Sequence, residues 1–482
     1  MYTPAFRFVH FRSLFSRLVV GACGGLCLVA SGCGSKAGSA SSASDPPAGI
    51  AGDASASGGM SAGGSASGGG AGVASPGGGV SAGGSAGTAA GAGVGGASAG
   101  ANFGGAAVAL VGTATRPQLA EDAAPDLTVL KYFEKGSTVG APIVDNWDPT
   151  AGVGDVAQLA PKYTVAASGG TDTTIQAAID KAVAAGGTER IAIEVADGTY
   201  REVVCVPSGA PPITLYSKNP DASATRIVFD NYSGKVKDAQ TPANPCNPAL
   251  GSTTYGTSGS PTFAAWANGF QAKNLTIEND LDETGLSGSL QAVALATQGD
   301  KQIYENVRLL GNQDTFFVKS GSSEVIARVY VTNSFIQGDT DFIFGRAVAV
   351  IDQSEIHFVS TRQGSKGYCI VPSTDSRNPH GILVYKSQFT ADAATTAGSI
   401  NLGRAWDESG KDLATYSMLA ATGVYPNGQA LIRESTLGAH IRAAEPWAPA
   451  ATTSRPFSSV NTDTLPANRL YEYANTGDGA AK

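Results

Sequence analysis

The sequence contains few charged residues, few aromatic residues and few candidate metal ligands. Only 15% of its 482 residues are charged and 7% are aromatic, and it has six Cys and four His. The 32 Lys and Arg are outnumbered by 40 Asp and Glu, which excludes a basic nucleic-acid-binding protein. With no C-x-x-C pair and so few His, a zinc site is not expected, and no residue is assigned to a metal site. The composition also lacks the long apolar runs of a polytopic membrane protein.

Glycine, by contrast, is abundant and unevenly distributed. Of the 63 Gly, 25 lie in residues 34–106, a stretch rich in Ala and Ser that carries only three charges. Such a sequence cannot bury enough apolar area to offset its ordering entropy. Residues 34–106 are therefore predicted to be a disordered tether, and residues 119–482 to form the folded domain.

The N-terminal segment 1–33 is typical of an export signal. Three arginines precede a short apolar run at residues 18–30, which is too short to span a bilayer as a stable helix. The small residues before Cys33 resemble a bacterial lipoprotein cleavage site, after which Cys33 would be lipidated. A plain secretory signal is the alternative. Both interpretations predict an exported protein, either an outer-membrane or cell-surface lipoprotein or a secreted one, and membrane contact only through the lipid anchor.

Cysteine usage agrees with export. Three cysteines remain in the predicted domain after the N-terminal segment is set aside. In an oxidising compartment, Cys205 and Cys246 are expected to form a disulfide, and Cys369 is expected to be buried and free.

A sequence pattern that recurs in the second half of the chain indicates the fold. In each copy a polar or amide residue precedes an alternating apolar strand, and the copies are 20 to 48 residues apart. The central residues are Asn274, Asn306, Asn333, Gln353, Lys386 and Glu434. These intervals fit one solenoid coil, or a coil with an inserted loop, whereas a β-sandwich would space its strands more tightly. The sequence therefore predicts an all-β, right-handed parallel β-helix, capped near its start by one short helix at residues 174–187.

Two segments within these coils place a carboxylate among aromatic residues: 311–317, around Asp314, and 338–345, around Asp341. The two aspartates are separated by about one coil, so they are expected on neighbouring rungs, about 4.8 Å apart, with Gln291 one rung further. Two close carboxylates cannot both ionise easily, and one held protonated suits acid/base and nucleophilic catalysis. The alternative is that both aspartates only cap turns between coils.

Several segments resemble the ordered motifs of the pectinesterase family, over about residues 166–437. The matching blocks are GTYRE (198–202), QAVAL (291–295), GNQDT (311–315), DFIFG (341–345) and LGRAW (402–406). The Gly-Asp-Thr-Asp sequence that ends at Asp341, together with the candidate lipidation site, is most similar to the bacterial outer-membrane lipoprotein branch. The resemblance implies a parallel β-helix that acts, with no cofactor, on methyl-esterified pectin (polygalacturonate). It would remove methyl esters from galacturonate residues and release methanol. We expect a monomer.

The resemblance also implies a role for each matched site residue. Asp341 would attack the ester carbonyl, and Asp314 would protonate the departing methanol and then activate water. Gln291 and Gln313 would donate hydrogen bonds to the oxyanion. Arg404 would keep Asp341 ionised and oriented.

Three aromatic residues, Trp406, Phe317 and Phe344, would offer flat apolar faces to the sugar rings, with ordinary packing as the alternative. Ala405 stands where the family usually has proline, and Asp339 stands where it more often has an uncharged residue. Asp339 would either raise the pKa of its neighbour or point into solvent at a coil corner.

The acidic balance predicts repulsion of de-esterified polygalacturonate unless a basic strip lines the groove. The candidates for such a strip are Arg346, Arg362, Lys366 and Arg404.

Three other functions compatible with a solenoid remain open. The first is a paralogous esterase or thioesterase that acts on another substrate. The second is a β-helix pectate lyase that uses Ca²⁺, for which Asp339, Asp341 and Asp352 would supply an oxygen cluster. The third is a surface solenoid that binds glycan without catalysis, because fold alone does not prove activity.

Overall fold

The computed structural model describes residues 108–238, 244–248, 251–362, 364 and 366–482. The predicted signal (1–33), Cys33 and the predicted tether (34–106) lie outside these residues. In the described part, the strands β1 to β29 are, in chain order, Leu110–Gly112, Pro117–Leu119, Lys135–Thr138, Ala141–Val144, Tyr163–Val165, Ile191–Val195, Gly198–Arg201, Val204–Val206, Ile213–Tyr216, Thr225–Phe229, Phe263–Ala265, Gln271–Asn279, Leu295–Thr297, Gln302–Leu310, Phe316–Val318, Val325–Ile326, Arg328–Thr332, Phe335–Gly338, Thr340–Gly345, Val348–Asp352, Glu355–Phe358, Tyr368–Pro372, Ile382–Tyr385, Gln388–Ala391, Asn401–Trp406, Gln429–Arg433, Thr436–Leu437, Trp447–Ala451 and Arg469–Tyr473. The α-helices α1 to α4 are Val129–Phe133, Ile175–Ala185, Gly256–Gly259 and Leu413–Ala420, and the 3-10 helices are Glu121–Asp126, Val156–Gln158 and Ala222–Ala224.

Most strands belong to three parallel ladders. The first ladder runs β5-β6-β9-β12-β14-β17-β20-β23-β26-β29, and the second runs β7-β10-β12-β14-β18-β21-β24-β27. The third ladder, β8-β11-β13-β15-β19-β22-β25-β28, forms a separate sheet. The chain visits the ladders in turn, so that β13 in the third leads to β14, which serves the first and second, and then to β15 in the third again. The predicted parallel β-helix is confirmed.

The recurring sequence pattern lies at the corner between the first and second ladders. Its six central residues all have left-handed backbone conformation, with φ between 47° and 59°. A single residue in this region turns the chain sharply, and polar side chains with local hydrogen bonds tolerate it best. In four successive coils a serine follows this corner, and its Oγ accepts a hydrogen bond of 3.1 Å from a backbone N–H of the preceding coil; these are Ser334, Ser354, Ser387 and Ser435.

The predicted capping helix is present as α2. It begins after Thr174, whose side chain accepts a hydrogen bond from the backbone N–H of Ala177, and it ends at Gly186. Ile175 and Ile179 are fully buried on the apolar face of the helix. This face packs against β5, β6 and β8, so α2 covers the first coils.

The folded part begins earlier than the predicted boundary at Leu119. Strands β1 and β2 pair with each other, and β2 then pairs with β29 of the last coil. Beside them the Arg116 guanidinium donates to both carboxylate oxygens of Glu472, at 2.8 and 2.7 Å, and both side chains are buried. A three-residue strand whose partner lies some 350 positions away leaves no local pattern in the sequence, so the predicted start was wrong.

The segment between β2 and β5 covers the first ladder. Tyr132 and Phe133 of α1 are buried in an apolar cluster with residues from β17, β20 and β23. The buried Arg328 in β17 binds Asp145 of this segment at 2.5 and 2.8 Å and Asp300 at 2.9 and 2.7 Å. Further on, β16 continues the segment's own small sheet by pairing with β3.

Cys205 and Cys246 form a disulfide with a Cα–Cα distance of 5.3 Å. Cys369 is a buried free thiol, and burial raises its pKa, which leaves it unreactive. Within the residues described above, no helix combines the length and apolar character that crossing a bilayer would require.

Candidate active site

The candidate catalytic residues lie where the chain turns into β13, β15 and β19 of the third ladder. Leu295 pairs with Phe316, and Phe316 pairs with Ile343, so these strands are adjacent rungs. The backbone N–H of Ala292 donates to the carbonyl of Gln313 at 3.2 Å, and the backbone N–H of Asp314 donates to the carbonyl of Thr340 at 3.1 Å.

The arrangement predicted for the two aspartates and Gln291, on successive rungs, follows from this register. Asp314 and Asp341 lie on neighbouring rungs, and Gln291 is on the rung before Asp314.

The backbone at both aspartates has left-handed conformation, with φ of 65° at Asp314 and 50° at Asp341. The pairing of β19 with β22 also shifts register between Thr340 and Ile343, as at a β-bulge. The corner residues between the first and second ladders share this left-handed conformation, which Asp and Asn tolerate better than other non-glycine residues do. At the end of β19, Gly345 has φ of 130°, and a Cβ there would lie 2.1 Å from the carbonyl oxygen of Val318, so only glycine fits.

Arg404 in β25 binds Asp341 through a planar fork. Its Nε donates to Oδ1 at 2.9 Å and its Nη2 to Oδ2 at 2.6 Å. The guanidinium carbon also lies 3.8 Å from the ring centroid of Tyr368, which covers one face of the cation. This two-point contact pairs the Asp341 carboxylate with a cation and fixes its orientation.

Asp314 has the opposite environment. It is 7% exposed, and burial together with the negative charge of Asp341 raises its pKa well above the usual range, although Arg404 and Arg362 oppose this shift. Two neighbouring aspartates are thus held in different states, one paired with a cation and one favouring the protonated form. This is the division of roles that a nucleophile and a general acid require.

Both glutamines of the candidate site are half-buried. The side-chain Oε1 of Gln291 is buried and accepts no hydrogen bond from the residues described here. A buried polar atom without a hydrogen-bond partner is costly. Gln313 is half-buried on the next rung, directly before Asp314.

The family profile described as Pectinesterase matches residues 162–431 of the chain. The chain belongs to the pectinesterase family. It is 44% identical over 389 residues to a pectinesterase of Ralstonia solanacearum, covering 78% of this chain and 94% of the relative. The solved rice weevil pectin methyl esterase has a TM-score of 0.64 at 32% identity, covering 76% of this chain and 98% of that one. A putative acyl-CoA thioester hydrolase of Escherichia coli, YbhC, is 32% identical over 407 residues, covering 77% and 90%.

As a pectinesterase family member, the chain is a carboxylic ester hydrolase. Beside the two aspartates, aromatic side chains of the third ladder pack together, and we call this group the aromatic floor. Phe317 and Phe344 stack at 4.3 Å and are only 5% and 4% exposed, so they offer little surface to a sugar. This burial agrees with the packing alternative for the two phenylalanines. Trp406 lies on this floor, 6.2 and 5.8 Å from the two rings, and stays partly exposed. Trp266 packs against the same cluster and was not singled out from the sequence.

A further cluster of this pectinesterase, around Asp339, was only partly anticipated. Asp339 is fully buried, and Arg362 donates to its Oδ2 through Nε at 2.8 Å and to its Oδ1 through Nη2 at 2.6 Å. The expectation that Asp339 points into solvent was therefore wrong. Arg362 also lies 3.0 Å from Glu283, whose pKa is raised by burial although Asn312 donates to it at 3.1 Å.

The arginines proposed as a basic strip are paired with carboxylates. Arg346 binds Glu408, Arg362 binds Asp339 and Glu283, and Arg404 binds Asp341. Lys366 is exposed. In this pectinesterase the three paired guanidinium groups therefore add little excess positive charge.

The three aspartates considered for a calcium cluster do not converge. Asp339 and Asp341 each bind an arginine, whereas Asp352 ends β20 in the first ladder and accepts a hydrogen bond from Tyr330 at 2.7 Å. Across the described ranges, no group of three or more Asp, Glu, His or Cys side chains has a metal-binding arrangement. A lyase built on these three residues is not favoured.

Proposed function

We propose that this chain removes methyl esters from galacturonate residues of pectin, with Asp341 as nucleophile and Asp314 as general acid and base. The observation that carries the proposal is the contrast between two carboxylates on neighbouring rungs. Asp341 is bound by both donors of the Arg404 fork, whereas Asp314 is buried with a raised pKa. Esterase catalysis without a serine nucleophile needs this pair of states.

In the first half of the reaction, an ionised oxygen of Asp341 attacks the ester carbonyl carbon, and the carbonyl oxygen becomes an oxyanion. Gln291 and Gln313 donate amide hydrogen bonds to that oxyanion. When the intermediate collapses, the bond to the methoxy oxygen breaks and Asp314 transfers its proton to that oxygen. Methanol leaves, and the galacturonyl group remains joined to Asp341 as an anhydride.

In the second half, Asp314 is a carboxylate in an environment that favours its protonated form, so it is a strong base. It takes a proton from water, whose oxygen attacks the acyl carbon. The bond to Asp341 then breaks, which restores the Asp341 carboxylate and the protonated Asp314 and releases galacturonic acid, whose carboxyl group loses its proton to solvent. The step consumes one water molecule and needs no redox partner or cofactor.

Trp406 is the residue that we assign to contact with the sugar rings, because it is the aromatic side chain of the predicted three that remains partly exposed. Phe317 and Phe344 pack against Trp406. The Ralstonia relative named as a pectinesterase supports pectin as the substrate, and the Escherichia coli relative named as a putative thioester hydrolase supports a thioesterase as the second candidate.

The test is methanol release from highly methyl-esterified pectin by the purified protein in EDTA. The wild type should release methanol, and Asp341→Asn and Asp314→Asn should each lose at least about 10³-fold in kcat. Asp463→Asn, at an exposed aspartate outside the groove, is the matched control and should match the wild type. Unsaturated products that appear only with calcium would support the lyase, and preferential cleavage of an acyl-CoA would support the thioesterase.

We also propose that the protein is exported and held at the outer membrane by a lipid on Cys33, with residues 34–106 as a tether and the enzyme acting as a monomer. Mass spectrometry of the mature N-terminus checks the anchor. A diacylated or triacylated Cys33 is the expected result, and Cys33→Ser should release the enzyme into the medium. An unmodified N-terminus elsewhere would point to plain secretion.

A further inference from the structure

A second arginine–carboxylate cluster lies beside the proposed catalytic aspartates, and the mechanism above does not use it. Arg362 binds Asp339 through two hydrogen bonds, donates to the Oγ1 of Thr340 at 3.2 Å, and lies 3.0 Å from Glu283. Asn312 completes the cluster by donating to Glu283 at 3.1 Å. We call these five residues the Arg362 network.

The Arg362 network joins the three segments that carry the catalytic residues. Glu283 lies in the loop before Gln291, and Asn312 is followed directly by Gln313 and Asp314. Asp339 and Thr340 immediately precede Asp341. One guanidinium therefore contacts or connects all three rungs, in addition to the Arg404 fork that binds Asp341 alone.

The Arg362 network is also shielded from water. Asp339 is fully buried, and the side chains of Arg362 and Glu283 are only 15% and 10% exposed. Charges in such a place interact more strongly than at the surface, and removing one partner leaves the others unpaired. Arg362 contacts two of the three segments directly, through Glu283 and Asp339, and the hydrogen bond from Asn312 to Glu283 joins the third to it.

We propose that Arg362, held by Asp339 and Glu283, is a positioning residue that keeps the catalytic segments in register and sets the pH range in which Asp314 can donate its proton. This inference rests on the assignment of Asp314 as the general acid. It adds a second guanidinium to a site whose first, Arg404, acts on the nucleophile.

The charges that face Asp314 come from four residues on three segments. Asp341 of β19 and Asp339 before it favour the protonated form of Asp314, as does burial, whereas Arg404 of β25 and Arg362 after β21 favour the ionised form. Neutralising Asp339 leaves the positive charge of Arg362 less opposed, which lowers the pKa of Asp314. Neutralising Arg362 leaves Asp339 and Glu283 unopposed, which raises the pKa of Asp314.

The experiment compares pH profiles of kcat for methanol release by Asp339→Asn, Arg362→Gln and the double variant. Because Asp314 must be protonated to act as acid, activity falls as pH rises through the apparent pKa of the coupled aspartates. This alkaline limb should move down by about one pH unit in Asp339→Asn and up by about one unit in Arg362→Gln. It should stay near the wild-type position in the double variant, where both charges are removed together.

Arg377→Gln is the matched control, because Arg377 also binds carboxylates, Asp375 and Glu324, but takes no part in the Arg362 network. Its profile should not move. Arg362→Lys keeps the charge without the fork, so its limb should stay in place while kcat falls. If Arg362→Gln does not fold, Asp339→Asn and the double variant still test the opposite shift and its cancellation.

Two failures are distinguishable. If Asp314→Asn retains wild-type kcat, the assignment of the general acid is wrong and the inference fails with it. If Asp314→Asn is inactive but Asp339→Asn and Arg362→Gln lower kcat without moving the alkaline limb, the network is only structural and the inference alone is overturned.

Discussion

Arg404 binds both carboxylate oxygens of Asp341, through Nε at 2.9 Å and Nη2 at 2.6 Å. Each carboxylate oxygen has two lone-pair sites, so the fork occupies one per oxygen and leaves the other for attack on a carbonyl carbon. The same contact that fixes the carboxylate therefore leaves it nucleophilic. The stacked ring of Tyr368 holds the guanidinium plane in place.

Arg404→Lys should keep the positive charge but lose both the fork and the stacking on Tyr368. We expect kcat to fall about 10²-fold with little change in KM, because a misplaced nucleophile reacts slowly while substrate contacts elsewhere remain. Steady-state methanol release measures both constants. A lysine variant with wild-type kcat would show that charge alone is sufficient.

Gln291→Ala and Gln313→Ala should each lower kcat by about 10²–10³-fold, the effect expected on removing one oxyanion donor. KM should change little, because the hydrogen bonds strengthen only as the oxyanion forms. Gln388→Ala, at an exposed glutamine in β24 of the second ladder, serves as the control. A change confined to KM would place the two amides in substrate binding instead.

Asp314→Asn should stabilise the fold at neutral pH while it abolishes activity. The pKa of Asp314 is raised on folding, so its contribution to stability is fully present below the unfolded pKa of about 3.9 and is lost as pH rises towards the folded value. An amide cannot ionise and avoids that loss. Thermal unfolding should show a higher Tm for the variant at pH 7.5 and nearly equal Tm values near pH 3.5. A lower Tm at pH 7.5 would contradict the raised pKa.

The disulfide should contribute to stability without affecting catalysis. It joins Cys205 and Cys246 across 41 residues, so replacing both by serine should cost about 2–4 kcal/mol of unfolding free energy. Denaturant unfolding measures the cost, and kcat for methanol release should be unchanged. A reducing agent should destabilise the wild type by a similar amount and leave the double-serine protein unaffected.

De-esterified polygalacturonate should be a weak competitive inhibitor at low salt. Residues 107–482 carry 28 Lys and Arg against 38 Asp and Glu, and three groove arginines are already paired. Salt screens the repulsion between two polyanions, so inhibition should strengthen as sodium chloride is raised. Inhibition that weakens with salt would show that the groove itself is positive, despite these pairs.

The fold and the relative positions of the two proposed catalytic aspartates could largely be predicted from the sequence, because both depend on a repeat. The corner residues recur once per coil, as Asn306 and Asn333 show, and parallel strands in register place residues one coil apart on neighbouring rungs. If Asp314 and Asp341 lie on the same ladder, their 27-residue separation, about one coil, puts them on neighbouring rungs. Helix α2 was predictable for a similar reason, because its apolar face repeats at helical spacing.

The remaining features depend on contacts that leave no periodic pattern. Arg362 lies in a loop 23 residues after Asp339, and nothing in the spacing indicates that the two side chains meet. The burial of Phe317 and Phe344 was not predictable either, because an outward-facing position on a strand looks the same whether or not a neighbour covers it.

The pairing of β2 with β29 has a consequence for how the chain folds. Residues 117–119 are synthesised early, but their partner strand belongs to the last coil, and Arg116 is buried against Glu472 of that same strand. The entropic cost of closing so long a loop is recovered only when the final coil has formed, and such non-local contacts slow folding. Coils can stack in sequence from α2 onwards, but the segment that covers the first ladder can dock at its β2 end only after the C-terminal coil is complete. A chain that lacks Arg469–Tyr473 therefore lacks both the strand that pairs with β2 and the carboxylate that binds Arg116.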